Sequence, residues 1–532
     1  MPMNSLSFNN RLINNLPADP QTDNYCRSVE NAAYSFVSTA KTAAPKLIAV
    51  TDDLATQLGF SNKAIRSPEF SQVMTGNRLL PGMKSYALCY GGHQFGQWAG
   101  QLGDGRAINL GELVTPTGNQ TLQLKGAGKT PYSRNADGMA VLRSSIREFL
   151  CSEAMFHLGI PTTRALSLCL TGEQVLRDKM YDGHPAFEPC AIVCRVSPSF
   201  LRFGSFQLPA SRGDENLLTQ LLQHAIETDF SHLLTADKQF TTETYLAWFS
   251  EVCARSSEMV VHWMRVGFVH GVMNTDNMSI LGETIDYGPY GWIDDFDLNW
   301  TPNTTDEHEK RYRFGNQSQI TQWNLFQLAN AIFPLIGEAE PLQAILSDYA
   351  VNYQNSWCTM MAEKLGFKAF QGQSDLQMFH ALEQLLSAVE TDMTIFYRLL
   401  ANVPNELDLQ SHDQWLKLFA PCYYDLQKLD NKYLDDFSLW LTGYLKRINV
   451  DGLTQRARAQ KMNRVNPKYV LRNYLAQQAI ELAEQGDFSE ILKLQMILKN
   501  PYQEQPDHQD YAKKRPDWAR NKIGCSRLSC SS

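Results

Sequence analysis

Seven of the chain's 32 glycines fall between Gly91 and Gly111, closely followed by a strand that ends in a lysine. Glycine weakens the interior of a helix or strand through backbone entropy, so this stretch must run largely as turns and close backbone approaches. The segments that follow are set by their own patterning. Arg106–Val114 reads as a strand closed by the turn Thr115–Asn119, and Thr121–Lys125 alternates with period two. That alternation puts Leu122 and Leu124 on one face and Gln123 and Lys125 on the other. A loop over Gly126–Gly138 leads to a helix with the apolar stripe Leu142, Ile146, Phe149, Leu150 and Ala154. It stops near Leu158, where Gly159 ends it and Pro161 lies just beyond. Further strands are expected at 165–170, 174–177 and Cys190–Val196, the last carrying Arg195.

The remainder reads as helix at Thr242–Gly267, 321–335, 340–364, 376–399, 413–446 and 467–497. A polar tail from Pro501 is expected to be loosely held. Apolar residues at 43% supply a packed core, and 532 residues allow three domains or one large two-lobed unit. The order strand, strand, helix, strands, then helices is that of a protein kinase. The expected fold class is therefore α+β, a kinase-like two-lobed fold with a small antiparallel sheet plus helix in the N-lobe and a mainly helical C-lobe. The expected divisions are an N-terminal extension (1–80), the N-lobe (81–205), the C-lobe (206–400) and a helical C-terminal extension (401–532).

A balance of 48 basic against 56 acidic residues gives −8, which argues against a general nucleic-acid footprint. No uncharged apolar run approaches ~18 residues, so no membrane association is expected. Met1–Asn15 lacks the apolar core of a secretory signal, and a cytoplasmic protein is expected. Eleven cysteines include no Cys-x-x-Cys pair, and most sit in apolar segments as buried thiols would; only Cys525 and Cys530 lie in the polar tail.

A lysine ending an alternating strand is by itself an edge residue. Beside Leu102-Gly-Asp-Gly-Arg106, whose bare backbone can offer N–H groups to phosphate oxygens, Lys125 becomes a phosphate candidate. Glu148, off the centre of the helix stripe, is a solvated glutamate in isolation; in a kinase-like lobe it pairs with the strand lysine. His270-Gly-Val-Met-Asn-Thr-Asp-Asn277 followed by Ile285-Asp-Tyr-Gly288 carries the spacing of a kinase catalytic loop and its metal-binding Asp-Phe-Gly. It puts Asn277 and Asp286 on the metal-ligand positions, where oxygen ligands and phosphates suit Mg2+ or Mn2+. Tyr287 stands where Phe is usual, and Val272 where the catalytic aspartate belongs. Valine accepts no proton. Asp276 is the available carboxylate, able to take a hydroxyl proton or to position a nucleophile. Arg195 and Arg202 are either structural ion-pair partners or planar phosphate clamps suited to a triphosphate lying differently in the cleft.

Longer motifs carry a resemblance. Gly91–Gly96, Gln101–Ala107, Leu124–Gly128, Thr130–Arg134, Val141–Glu148, His270–Leu281 and Asn466–Leu475 resemble the selenoprotein O family, from about residue 80 to the C-terminus. The resemblance implies a pseudokinase that binds ATP in a flipped orientation and transfers AMP to Ser, Thr or Tyr hydroxyls of client proteins. UMP transfer from UTP with Mn2+ is a further activity associated with bacterial members. The resemblance implies nucleotide contacts at Gly103, Gly105 and Arg106, with Lys125 at the phosphates and Asp137 and Gly138 as a further pair. It makes Arg195 and Arg202 phosphate ligands, Asp276 the proton acceptor, and Asn277 and Asp286 the metal ligands, with Asp286 also counted among the nucleotide contacts.

Two departures bear on this. The loop Asn135-Ala-Asp-Gly-Met139 lacks the Gly before the Asp and the Arg after the Gly that the family more often has. Cys530-Ser-Ser532 resembles the family's terminal Sec/Cys-Ser-Ser, a redox candidate, yet the partner cysteine some relatives place about sixteen residues after the metal aspartate is Pro302 here. That disulfide cannot form. The alternatives are a genuine kinase transferring γ-phosphate and a catalytically silent ATP-binding scaffold.

Overall fold

In the computed structural model, which describes residues 3–179, 183–235, 237–407, 409 and 411–529, the lysine strand is central to a seven-stranded antiparallel sheet. Its strands are β1 (Tyr34–Phe36), β2 (Lys46–Val50), β3 (Tyr86–Leu88), β4 (Ala107–Thr115), β5 (Gly118–Lys125), β6 (Arg164–Arg177) and β7 (Ala186–Ser197). Their spatial order is β1-β3-β4-β5-β7-β6-β2. Residues 1–80 supply both edge strands, which short, weakly patterned segments did not reveal. The expected strands at 165–170 and 174–177 are one strand, β6, with a register shift between Leu170 and Gln174.

Leu122 and Leu124 pack with Phe70, Val73 and Met74 on one side of the sheet. The opposite face carries the polar set. Gln123 lies directly across from Arg195 on β7, so Gln123, Lys125 and Arg195 share a face. Helix α1 (Leu142–His157) packs against β6 and β7, and Gln123 is fully buried. Ile146, Phe149 and Leu150 of α1 enter a core that continues through Trp248 and Phe249, so the sheet and the helical half share one hydrophobic interior.

The helical half begins with α2 (Phe203–Ser211), α3 (Glu215–Asp229) and α4 (Thr242–Val266). The hydroxyl of Thr241 accepts the Thr244 amide at the start of α4, and Gly267 ends it with φ +77°. The chain then pairs Phe268–Val269 with Gly291–Trp292, a two-stranded ribbon that brackets the loop 270–288. Most of the residues of chemical interest in this half lie in that loop.

Three expected helices are interrupted where the sequence supplies caps and breakers. The 376–399 stretch is Gln373–Ala388 and Met393–Leu400, because Asp392 caps the second by accepting the Ile395 amide at 2.9 Å. The 413–446 stretch is Asp413–Phe419 and Asn431–Asp451, divided at Pro421 and restarted by the Asp430 cap. The 467–497 stretch is Asn473–Glu484 and Ser489–Leu498, divided at Gly486.

The tail is not loosely held. Ala519, Cys525 and Leu528 are buried, the Leu528 amide donates to the Pro302 carbonyl at 2.9 Å, and the Thr304 amide donates to the Leu528 carbonyl at 2.8 Å. A few buried apolar anchors and backbone bonds thus order a polar segment. Cys530 lies outside the described residues; the ten described cysteines are all free thiols. Among the described residues no helix is long and apolar enough to cross a membrane.

Candidate active site

A cavity of about 700 Å³ opens between the glycine-rich segment, β5, the 126–138 loop and the 270–288 loop. At its base, cations from three elements converge on one carboxylate. Arg195 from β7 and Arg202 before α2 each approach Asp286 to 2.5 Å, and Lys125 Nζ lies 3.6 Å from it. Glu148 on α1 pairs with Lys125 at 2.8 Å and with Arg195 at 3.1 Å. Burial alone would raise the Asp286 carboxyl; Arg202, Arg195 and Lys125 reverse this and hold it well below the usual carboxylate range. Burial pulls the Lys125 ammonium below its ordinary value despite Glu148 and Asp286. Asp286 has φ +55°, a left-handed conformation that costs a non-glycine residue about 1 kcal/mol or more. His270 helps hold it there, its Nε2 lying 2.9 Å from the Ile285 carbonyl oxygen.

Asp276 stands on the other side of Arg202, whose Nη1 donates to the Asp276 carbonyl at 2.7 Å. Its side chain is almost fully buried: Oδ2 accepts from Gln94 Nε2 at 3.1 Å, and Oδ1 has no hydrogen-bond partner among the described residues. Burial pushes its carboxyl up to about 6. Gly92 makes this seat, since a Cβ there would stand 2.7 Å from Asp276 Oδ1. Asn277 donates its amide N–H to the Val272 carbonyl at 2.9 Å, leaving the side-chain oxygen for another partner. Val272, Asp276, Asn277 and Asp286 all line the cavity.

Gly103, Gly105, Arg106, Asp137 and Gly138 line the same cavity. Arg106 is exposed. Gly103 serves packing as well as access: with φ +80°, a Cβ would overlap the Tyr132 ring at 2.4 Å. Asp137 is clasped by Arg177, both contacts at 2.7 Å. Sequence reasoning missed Gln94, Gln123, Asp104 and Arg177. Gln123 had a signal, since it shares the alternating face with Lys125; it now bonds Arg195. Asp104 sits inside the glycine segment, is buried, and lies 4.0 Å from Arg202.

Two further contacts set the spacing between α1 and the Asp286 loop. Arg147 Nη2 donates to the Tyr290 carbonyl at 2.6 Å, and the Tyr290 hydroxyl donates to the Arg147 carbonyl at 2.8 Å. The guanidinium also lies 4.2 Å from the Tyr290 ring centre. Tyr290→Phe removes one of these bonds and keeps the ring, and is expected to lower stability by about 1 kcal/mol. Chemical denaturation checks that value; an unchanged midpoint would show the bond to be neutral.

Glu283, in the same loop, accepts from the Ser197 hydroxyl at 2.7 Å. Burial and the neighbouring Asp229 carboxyl push it up to about 7. The folded protein thus keeps a proton there that the unfolded chain releases near 4.5, so stability falls as pH rises from about 4.5 to 7. Glu283→Gln removes that loss. It is expected to gain on the wild type across this window and to level off above it, the total gain over the window being about 3 kcal/mol. Melting curves from pH 4.5 to 8 check the sign; a constant difference would contradict it.

Comparison with known proteins places the chain among nucleotidyltransferases. The family described as "Protein adenylyltransferase SelO" matches residues 20–499. A protein nucleotidyltransferase YdiU from Azoarcus sp. (strain BH72) is 56% identical over 531 residues, covering 100% of both chains. Those from Rhodopirellula baltica and Flavobacterium johnsoniae are 53% and 51% identical, covering 99% and 100% of both chains. The chain belongs to the SelO family of protein adenylyltransferases.

Proposed function

We propose that this chain is a kinase-like two-lobed enzyme that transfers AMP from ATP to Ser, Thr or Tyr hydroxyls of client proteins, with UMP transfer from UTP as a further activity. The fold reading rests on the sheet, the Lys125–Glu148 pair and the ribbon-bracketed 270–288 loop. The observation that carries the activity is the convergence of Lys125, Arg195 and Arg202 on Asp286 beside a buried Asp276, with Val272 where a kinase keeps its base.

The glycine segment and Arg106 form one wall for the nucleotide, with Asp137 and Gly138 at its far side. Lys125, Arg195 and Arg202 present fixed positive charge to the triphosphate, which orients the α-phosphorus toward the hydroxyl. Glu148 holds Lys125 and Arg195 in place. The hydroxyl oxygen bonds to the α-phosphorus as the bond to the β-phosphate oxygen breaks, pyrophosphate leaves, and the hydroxyl proton passes to Asp276. A carboxyl near 6 is charged at neutral pH and basic enough for that role. Asn277 and Asp286 offer oxygen ligands that, with phosphate oxygens, suit Mg2+ or Mn2+; Asp286 would exchange an arginine contact for the ion. When bound, the ion supplies neutralisation of charge developing on pyrophosphate.

Incubation with ATP labelled at the α- or γ-phosphate tests this reading. Protein-bound label from the α-position alone is expected. Label from the γ-position alone would make it a kinase, and label from neither would leave a scaffold.

A further inference from the structure

Far from the nucleotide cavity in sequence, and sharing no lining residue with it, a second cavity of about 650 Å³ lies in the C-terminal helical region. One wall is the helix Met393–Leu400, and the opposite wall is the chain around 504–514. Four cations line it, Arg398, Lys468, Lys513 and Lys514, with Glu504 as the lining carboxylate; Lys513 is neutralised by Asp510 at 2.5 Å, which leaves Arg398, Lys468 and Lys514 in excess. In a chain of net charge −8 that local excess is a built feature.

The compensation is thin. Arg398 is largely buried and meets Glu504 at 2.5 Å, while Glu504 itself is 60% exposed. Lys468 shares that same carboxylate and also donates to Gln509 at 2.6 Å. Lys514 donates to the Tyr423 carbonyl and pairs with no carboxylate among the described residues. Two cations therefore lean on one solvated acid, and a third has no carboxylate among the described residues. Burial pulls the Arg398 guanidinium below its ordinary value in spite of Glu504, as expected of a charge short of counter-charge. Glu504 also shows that a carboxylate fits the fork between Arg398 and Lys468. Ile395, Leu399, Pro421 and Ala512 give the cavity an apolar surface. Pockets of this size, mostly apolar with a few convergent charges, suit a small organic ligand carrying an anionic group.

We propose that this cavity is a second binding site, for a nucleotide-sized organic phosphate whose phosphate meets Arg398, Lys468 and Lys514 and whose body lies on Ile395 and Leu399. Titration calorimetry of the full chain with ADP, metal chelated, tests it. Two pocket variants are used: Lys468→Ala/Lys514→Ala removes charge, and Leu399→Trp fills the apolar floor without touching charge. Lys125→Met weakens the nucleotide cavity instead. Melting curves establish that each variant is folded. An ADP site lost in both pocket variants and kept in Lys125→Met is expected. ADP binding that is lost only in Lys125→Met, or that survives both pocket variants unchanged, would overturn the proposal. A failure of the catalytic reading looks different, because the pocket site would then be the only one seen. In the Lys125→Met protein, inorganic pyrophosphate is expected to bind about tenfold more weakly than ADP. Equal affinity would overturn the assignment of an organic ligand.

Discussion

Asp286→Ala is expected to abolish AMP transfer and to lower the melting temperature at the same time. The carboxylate is the shared partner of Arg195, Arg202 and Lys125, and both arginines are almost fully buried. Removing it leaves guanidinium groups short of counter-charge in a region water barely reaches. Breaking a buried pair in this way costs about 3–5 kcal/mol, a large part of the 5–15 kcal/mol that typically holds a domain folded. A metal-ligand role alone would predict loss of transfer with folding intact; the ion cluster adds the stability cost. Asp286→Asn keeps the shape and one of the two acceptor oxygens, so it should lose less stability than Asp286→Ala and still fail in transfer. Normal labelling from α-labelled ATP by folded Asp286→Asn or Asp286→Ala protein, with metal present, would refute the proposed metal role.

Asp276→Asn should separate chemistry from binding. Oδ2 accepts from Gln94 and Oδ1 is buried without a partner among the described residues, so an amide fits the seat left by Gly92 with little rearrangement. It cannot take a proton. Loss of a positioned general base is expected to reduce the single-turnover rate about 10²–10⁴-fold. KM for ATP should change little, because Lys125, Arg195 and Arg202 are untouched. A parallel loss of ATP affinity would instead assign Asp276 to nucleotide binding, and an unchanged rate would remove it from the reaction.

Much of the site was legible because its parts are local patterns. The period-two face of Gln123 and Lys125, the glycine segment at 103–105, and the spacing from His270 through Asn277 to Asp286 are short-range features that backbone geometry imposes. The helix at Leu142–His157 was legible in its stripe and its Gly159 stop. The errors came where local signals compete. Proline, glycine and aspartate caps divided three helices that apolar periodicity alone would join, and three buried apolar residues with a pair of backbone bonds ordered a tail that composition marks as loose.

The sequence by itself determined which residues could bind phosphate or take a proton, since residue type and spacing fix that chemistry. Only the tertiary structure decided their state. Gln94 and Asp276 are 182 residues apart, and Arg147 and Tyr290 are 143 apart, so no local periodicity announces either contact. The raised carboxyl of Asp276 and the lowered one of Asp286 lie ten positions apart in the same loop. Burial acts on both; Arg202 reaches the first, while Arg202, Arg195 and Lys125 all reach the second, and folding alone brings those cations there.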